Sequence, residues 1–163
     1  MLTWERRPAE VANLFNPAFC SILLRGAVNT YQKEQDAGMP YVLSFLILPL
    51  VLHKTTRDAL PNTIRTRMHV WLQNKPETQI GFVNRIKQLT PITKEAIIFG
   101  MQSDLFTFDE KGNLVLVSRR FKSPPWTDDS EPTFCYRKSQ FLGRWLAQVG
   151  DTATILTMWG IRP

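Results

Sequence analysis

The chain has 163 residues, of which 44% are hydrophobic, 21% charged and 11% aromatic, the profile of an ordinary globular protein and neither a disordered nor a fibrous one. One domain over residues 1–163 is expected at this length, and its two cysteines, Cys20 and Cys135, imply no disulfide framework. The formal net charge of +6 suits nucleic acid phosphates or an acidic partner.

Residues 1–15 form an N-terminal segment. Its opening, Met1-Leu2-Thr3-Trp4-Glu5-Arg6-Arg7-Pro8, is charged where a signal peptide needs an apolar run, so a cytoplasmic location is expected. Residues 16–60 begin with Asn16-Pro17, a capping side chain followed by proline at the first helical position. Phe19, Ile22, Leu23, Gly26, Ala27, Thr30 and Tyr31 then share one helical face, with Ser21, Arg25, Asn29, Gln32 and Asp36 off it. Gly38 is the expected helix end. The run Tyr41 to Leu52 is apolar on every side, as a central strand or a buried helix would be. It is shorter than the roughly 20 residues a membrane span requires and contains Pro49.

Residues 61–122 carry three helical patterns and a hairpin. The patterns are Pro61 through Ile64, Met68, Trp71 and Leu72; Phe82, Ile86 and Leu89; and, after a cap-and-proline signal at Thr90-Pro91, Ile92, Ala96, Phe99 and Gly100. Leu105, Phe106 and Phe108 then turn through Asp109 to Asn113 into Leu114 to Val117, a β-hairpin. The expected class is therefore α+β and mainly α, with the three-helix-plus-hairpin order of a winged-helix unit. Residues 123–163 comprise a loop rich in proline and acids, with Trp126 exposed on it, and two helices. One of these runs through Phe141, Leu142, Trp145, Leu146 and Val149, and the other is capped by Asp151 and closed by Gly160.

Catalytic signatures are missing from the sequence. It has no phosphate-binding loop, no dinucleotide fingerprint and no serine elbow. His53 and His69 have no metal-ligand spacing, and Asp128, Asp129 and Glu131 lie in the proline-rich loop, so neither enzyme activity nor a cofactor or metal is expected. Charge is the stronger signal. Between Asn62 and Lys94, Arg65, Arg67, Lys75, Arg85, Lys87 and Lys94 face Glu77 alone, and Arg119, Arg120 and Lys122 follow the hairpin. Arg65, Arg67, Arg85, Lys87, Arg119 and Arg120 are the candidate DNA contacts, the alternatives being solvated helix faces and protection of a strand edge. The five tryptophans and ten phenylalanines fit either an aromatic core or an interface, and Trp126 is the candidate partner anchor.

Asn16-Pro17-Ala18 opening a helix that ends at Tyr31, the run Leu48 to Arg57, Leu142-Gly143-Arg144-Trp145, and Trp159-Gly160-Ile161-Arg162-Pro163 together resemble the middle component of bacterial three-component ABC systems. Within these, the likeness is to the small subunits of Lamassu-type anti-phage complexes, and it runs from Asn16 onward. The resemblance implies a non-enzymatic adaptor in a hetero-oligomer. Its partners would be a coiled-coil ABC ATPase of the structural-maintenance-of-chromosomes (SMC) type and an effector, often a nuclease, with DNA met through the complex and no membrane involved. The residues alone also allow an independent winged-helix DNA-binding regulator.

Overall fold

Asn16 caps the first helix as its side chain allows: Oδ1 accepts the Ala18 and Phe19 N–H groups at 2.8 and 3.4 Å. The computed structural model describes residues 15–117, 121–122 and 124–162. Among them α1 spans Pro17–Gln35, α2 Ser44–Val51, α3 Lys54–Ala59, α4 Met68–Asn74, α5 Phe82–Gln102, α6 Glu131–Val149 and α7 Thr152–Met158. Strands β1 (Met39–Pro40), β2 (Phe106–Phe108) and β3 (Asn113–Leu116) form an antiparallel sheet in the order β1-β3-β2. The fold is mainly helical α+β.

Helix α1 runs through the middle of the molecule and is covered nearly all round. Cys20, Leu23, Leu24, Ala27, Val28 and Tyr31 are buried, but so are Ser21 and Arg25, both expected to lie off the apolar face. The reason is that α1 packs against α2, α5 and α6 at once. Its closest approach is to α6, where Gly143 lets the two backbones meet: a Cβ there would overlap Thr30 Oγ1 and the Ala27 carbonyl. Thr30 Oγ1 donates to the Gln140 carbonyl at 2.7 Å across this crossing. The helix ends at Asp36, which adopts φ 53° and sends its N–H to the Gln32 carbonyl. Gly38, expected to be the stop, instead packs its bare Cα against Asn113 and Val115 of β3.

The apolar run is the buried-helix alternative, a 3-10 turn over Tyr41–Leu43 followed by α2. Two other expectations change. The Pro61 pattern yields a helix only from Met68, since the irregular residues before it lend their carbonyls to other elements: Trp145 Nε1 donates to Thr66 O at 2.8 Å and Lys138 Nζ to Pro61 O at 3.3 Å. The helices expected on either side of Pro91 are one, α5. Pro91 lies on the solvent side, where the Lys87 carbonyl it leaves unbonded can be hydrated. Thr90 Oγ1 turns back to Ile86 O at 2.8 Å. The buried stripe Phe82, Leu89, Ile92, Ala96 and Gly100 continues without a break. Within residues 61–122, one short α-helix and one long one thus precede the hairpin, where the expected winged-helix order has three. The hairpin itself forms as expected, with Asp109 Oδ1 accepting the Lys111 and Asn113 N–H groups at 2.9 Å each and Gly112 at φ 77°.

An aromatic cluster closes the far end of the core. Trp71 packs edge-on against Trp145 at 5.5 Å, and Phe82 packs on Trp159 at 4.8 Å. Trp71 Nε1 donates to the Ala59 carbonyl at 3.0 Å. These three tryptophans are core residues.

Candidate partner-binding surface

Among the described residues, the basic candidates singled out by sequence differ in burial. Arg65, Arg67 and Lys87 are exposed. Arg67 lines a shallow pocket with Gln148, Thr154 and Met158, at the α6–α7 end. Arg85 reaches toward α2 and α3 and is half-buried: Nη1 donates to the Pro49 carbonyl at 3.2 Å and lies 3.4 Å from Thr56 Oγ1. Burial lowers its pKa. Arg119 and Arg120 lie outside the described residues.

A second arginine, absent from the sequence candidates, joins Arg85 at the C-terminal end of α2. Arg57 on α3 is 3% exposed. Its Nη1 donates to the Val51 carbonyl at 2.9 Å and contacts Cys135 Sγ at 3.2 Å, while Nη2 donates to Glu131 Oε1 at 2.9 Å. The last carbonyls of a helix lack intrahelical donors and carry partial negative charge, so two guanidinium groups are well matched to this terminus. Glu131 opens α6, capped by Ser130, and is not a loop residue as the sequence suggested. Arg57 therefore ties α2, α3 and α6 together. No local pattern could reveal it, because an arginine on a short polar helix reads as a solvated one.

Several polar groups here have structural partners. Burial pushes the Cys20 thiol up to about 12, with Cys135 and Glu95 adding to the rise. Burial also raises Cys135, against a lowering by Arg57, and neutral thiols are poor nucleophiles. His53 caps α3, its Nδ1 accepting the Thr56 N–H at 3.4 Å. Among the described residues no group of three or more His, Cys, Asp or Glu side chains could hold a metal ion, and no helix is long and apolar enough to cross a membrane.

A family model described as MC3, ABC-three component (ABC-3C) system Middle Component 3, matches residues 4–163. The chain belongs to this family. No curated protein and no solved structure shows a significant match to it.

This ABC-3C middle component carries two apolar surfaces built from aromatic side chains. Trp126, expected to stand free on its loop, is half-buried. It packs edge-on against Phe19 of α1 at 5.6 Å and Tyr136 of α6 at 6.1 Å. The same loop lays Phe121 under the Arg25 guanidinium, 4.0 Å from the ring centroid. On the opposite side of the sequence order, Tyr41 packs edge-on against Phe45 at 5.0 Å and Phe108 at 5.6 Å. Tyr41, Val42 and Phe108 remain exposed there, beside the edge strand β2.

Proposed function

We propose that this middle component is a non-enzymatic adaptor that bridges an SMC-like ABC ATPase and its effector, often a nuclease, in an anti-phage complex of the Lamassu type. The observation that carries the reading is the family match across residues 4–163, which makes the chain one component of a three-component system. A phosphate-binding loop is missing from its sequence, so ATP turnover belongs to another subunit in this reading. Trp126 is the partner anchor: Phe19 and Tyr136 hold one side of the indole, and a ring held in place loses little freedom on docking. Arg65, Arg67 and Lys87 supply auxiliary DNA contacts within the assembled complex, whereas Arg85 serves the end of α2. The continuous α5 leaves no observation favouring a free winged-helix regulator.

Co-expression with the products of the neighbouring genes tests the reading. A complex containing both a coiled-coil ATPase and a third subunit, dependent on this chain, is the expected result. A chain that purifies alone as a dimer and binds DNA unaided would overturn it.

A further inference from the structure

An open groove of about 570 Å³ lies between the end of α3 and the outer face of α6, within the size range of built ligand sites. One face of α6 supplies most of its wall: Phe134, Arg137, Lys138, Phe141 and Arg144 recur at helical spacing and all line it, with Arg57 at its base. Four of these six are cations, and Asp58 is the one acidic residue on the wall.

Among the described residues, carboxylates neutralise only part of this charge. Glu131 is taken by Arg57 at 2.9 Å, and Asp58 by Lys54 at 2.5 Å. Arg137 faces Asp128 at 3.7 Å with both side chains mostly exposed, 56% and 100%, a pair that solvent weakens. Lys138 donates to two backbone carbonyls, Leu60 O at 3.4 Å and Pro61 O at 3.3 Å, and sits 5.7 Å from the Phe141 ring centroid. Burial works against its cation. Arg144 makes no hydrogen bond or ion pair among the described residues, and the buried Arg57 Nε has no hydrogen-bond partner. Phe134 stands 46% exposed at the groove's edge, while Phe141 is only 5% exposed.

We infer that this groove is a docking site for an acidic segment of a partner subunit, whose carboxylates pair with Arg137, Lys138 and Arg144 and whose apolar side chain rests on Phe134. Guanidinium forks match carboxylates in a bidentate geometry, and separated carboxylates can be spaced to avoid Asp58. A nucleic acid strand fits less well. It needs a run of exposed aromatic plates for successive bases, and this wall offers one, Phe134, beside an acidic residue that faces a continuous phosphate chain. The inference rests on the bridging reading only for the source of the segment.

The test is fluorescence anisotropy on the full chain without any partner, so its outcome is separate from that of the co-expression experiment. The probes are a labelled short peptide in which Asp and Glu flank a single Phe, and a labelled oligodeoxythymidine of matched charge. The expected result is saturable peptide binding that Arg137→Glu with Arg144→Glu weakens more than about tenfold, that Phe134→Ser also weakens, and that Lys111→Glu on the distant hairpin leaves unchanged, all with unaltered thermal unfolding. Peptide binding indifferent to the groove variants, or oligonucleotide binding that is tighter and lost in them, would overturn the inference.

Discussion

Arg57 and Glu131 lie 74 positions apart in the chain and meet through a 2.9 Å hydrogen bond, with the arginine side chain 4% exposed and the glutamate 63% exposed. The asymmetry determines what each end contributes. Glu131 is largely solvated, and its charge is screened. Arg57 instead satisfies the Val51 carbonyl inside the fold.

The two ends should therefore differ on mutation. Arg57→Met leaves the Val51 carbonyl with only the weak Cys135 thiol, 3.9 Å away, as a donor and should cost about 2–3 kcal/mol, whereas Glu131→Gln should cost about 1 kcal/mol or less. Urea unfolding of both variants measures this. A larger loss for Glu131→Gln would mean the ion pair, rather than the capped helix end, is what matters.

The crossing of α1 and α6 gives a second test. Gly143→Ala drives a methyl group into the Ala27 backbone and should cost about 3 kcal/mol or more, at the top of the overpacking range. At Gly26 a Cβ would meet the Tyr136 ring edge at 2.9 Å, and a side chain can move. Gly26→Ala should therefore be the milder change. Equal midpoints for the two variants would show that the helices are free to separate.

His53 should make stability depend on pH. Its pKa is lowered from the ordinary 6.5, by burial first and then by Arg85, so the neutral ring that caps α3 is the favoured form in the fold. A lowered pKa contributes stability above pH 6.5 and loses it as pH falls through the folded-state value. Thermal midpoints measured downward from neutral pH should show this loss, and His53→Asn, which keeps a capping acceptor that does not titrate, should reduce it. An unchanged slope in His53→Asn would assign the acid sensitivity to other groups.

Trp126 should matter both to folding and to association. Losing its edge contacts with Phe19 and Tyr136 should cost about 1 kcal/mol in the isolated chain, and Trp145→Ala, at the centre of the buried cluster, about 3–5 kcal/mol. In the anchor reading, Trp126→Ala also weakens affinity for the partner roughly thirtyfold, and complex recovery falls with it. A folded Trp126→Ala protein recovered in the complex at wild-type yield would leave the indole with its intramolecular role alone.

Local signals were the legible ones. The Asn16-Pro17 start, the Asp109–Gly112 turn and the Asp151 cap each involve side chains bonding to backbone a few residues away, so their chemistry is written in adjacent letters. Pro91 misled because a proline's effect depends on which side of the helix it lies, and only the packed stripe from Phe82 to Gly100 fixes that side. The burial of Arg25 and Arg57 was hidden for a related reason. Their partners, Phe121 and Glu131, are 96 and 74 positions away respectively, beyond any periodicity. The groove beside α6 has a face that sequence spacing could have shown, since Phe134, Arg137, Lys138, Phe141 and Arg144 form a helical stripe, but the facing α3 wall could not be read from it.

The separation of 110 residues between Thr30 and the Gln140 carbonyl it bonds also has a consequence for biosynthesis. Helix α1 leaves the ribosome long before α6, the element that covers most of it, and at about 5–20 residues per second the delay is on the order of ten seconds. During that interval Leu23, Leu24, Ala27 and Val28, all fully buried in the finished fold, have no α6 to cover them. The nascent chain should therefore expose this apolar face until α6 emerges, and truncation before Gly143 should yield an aggregating product rather than a smaller folded one.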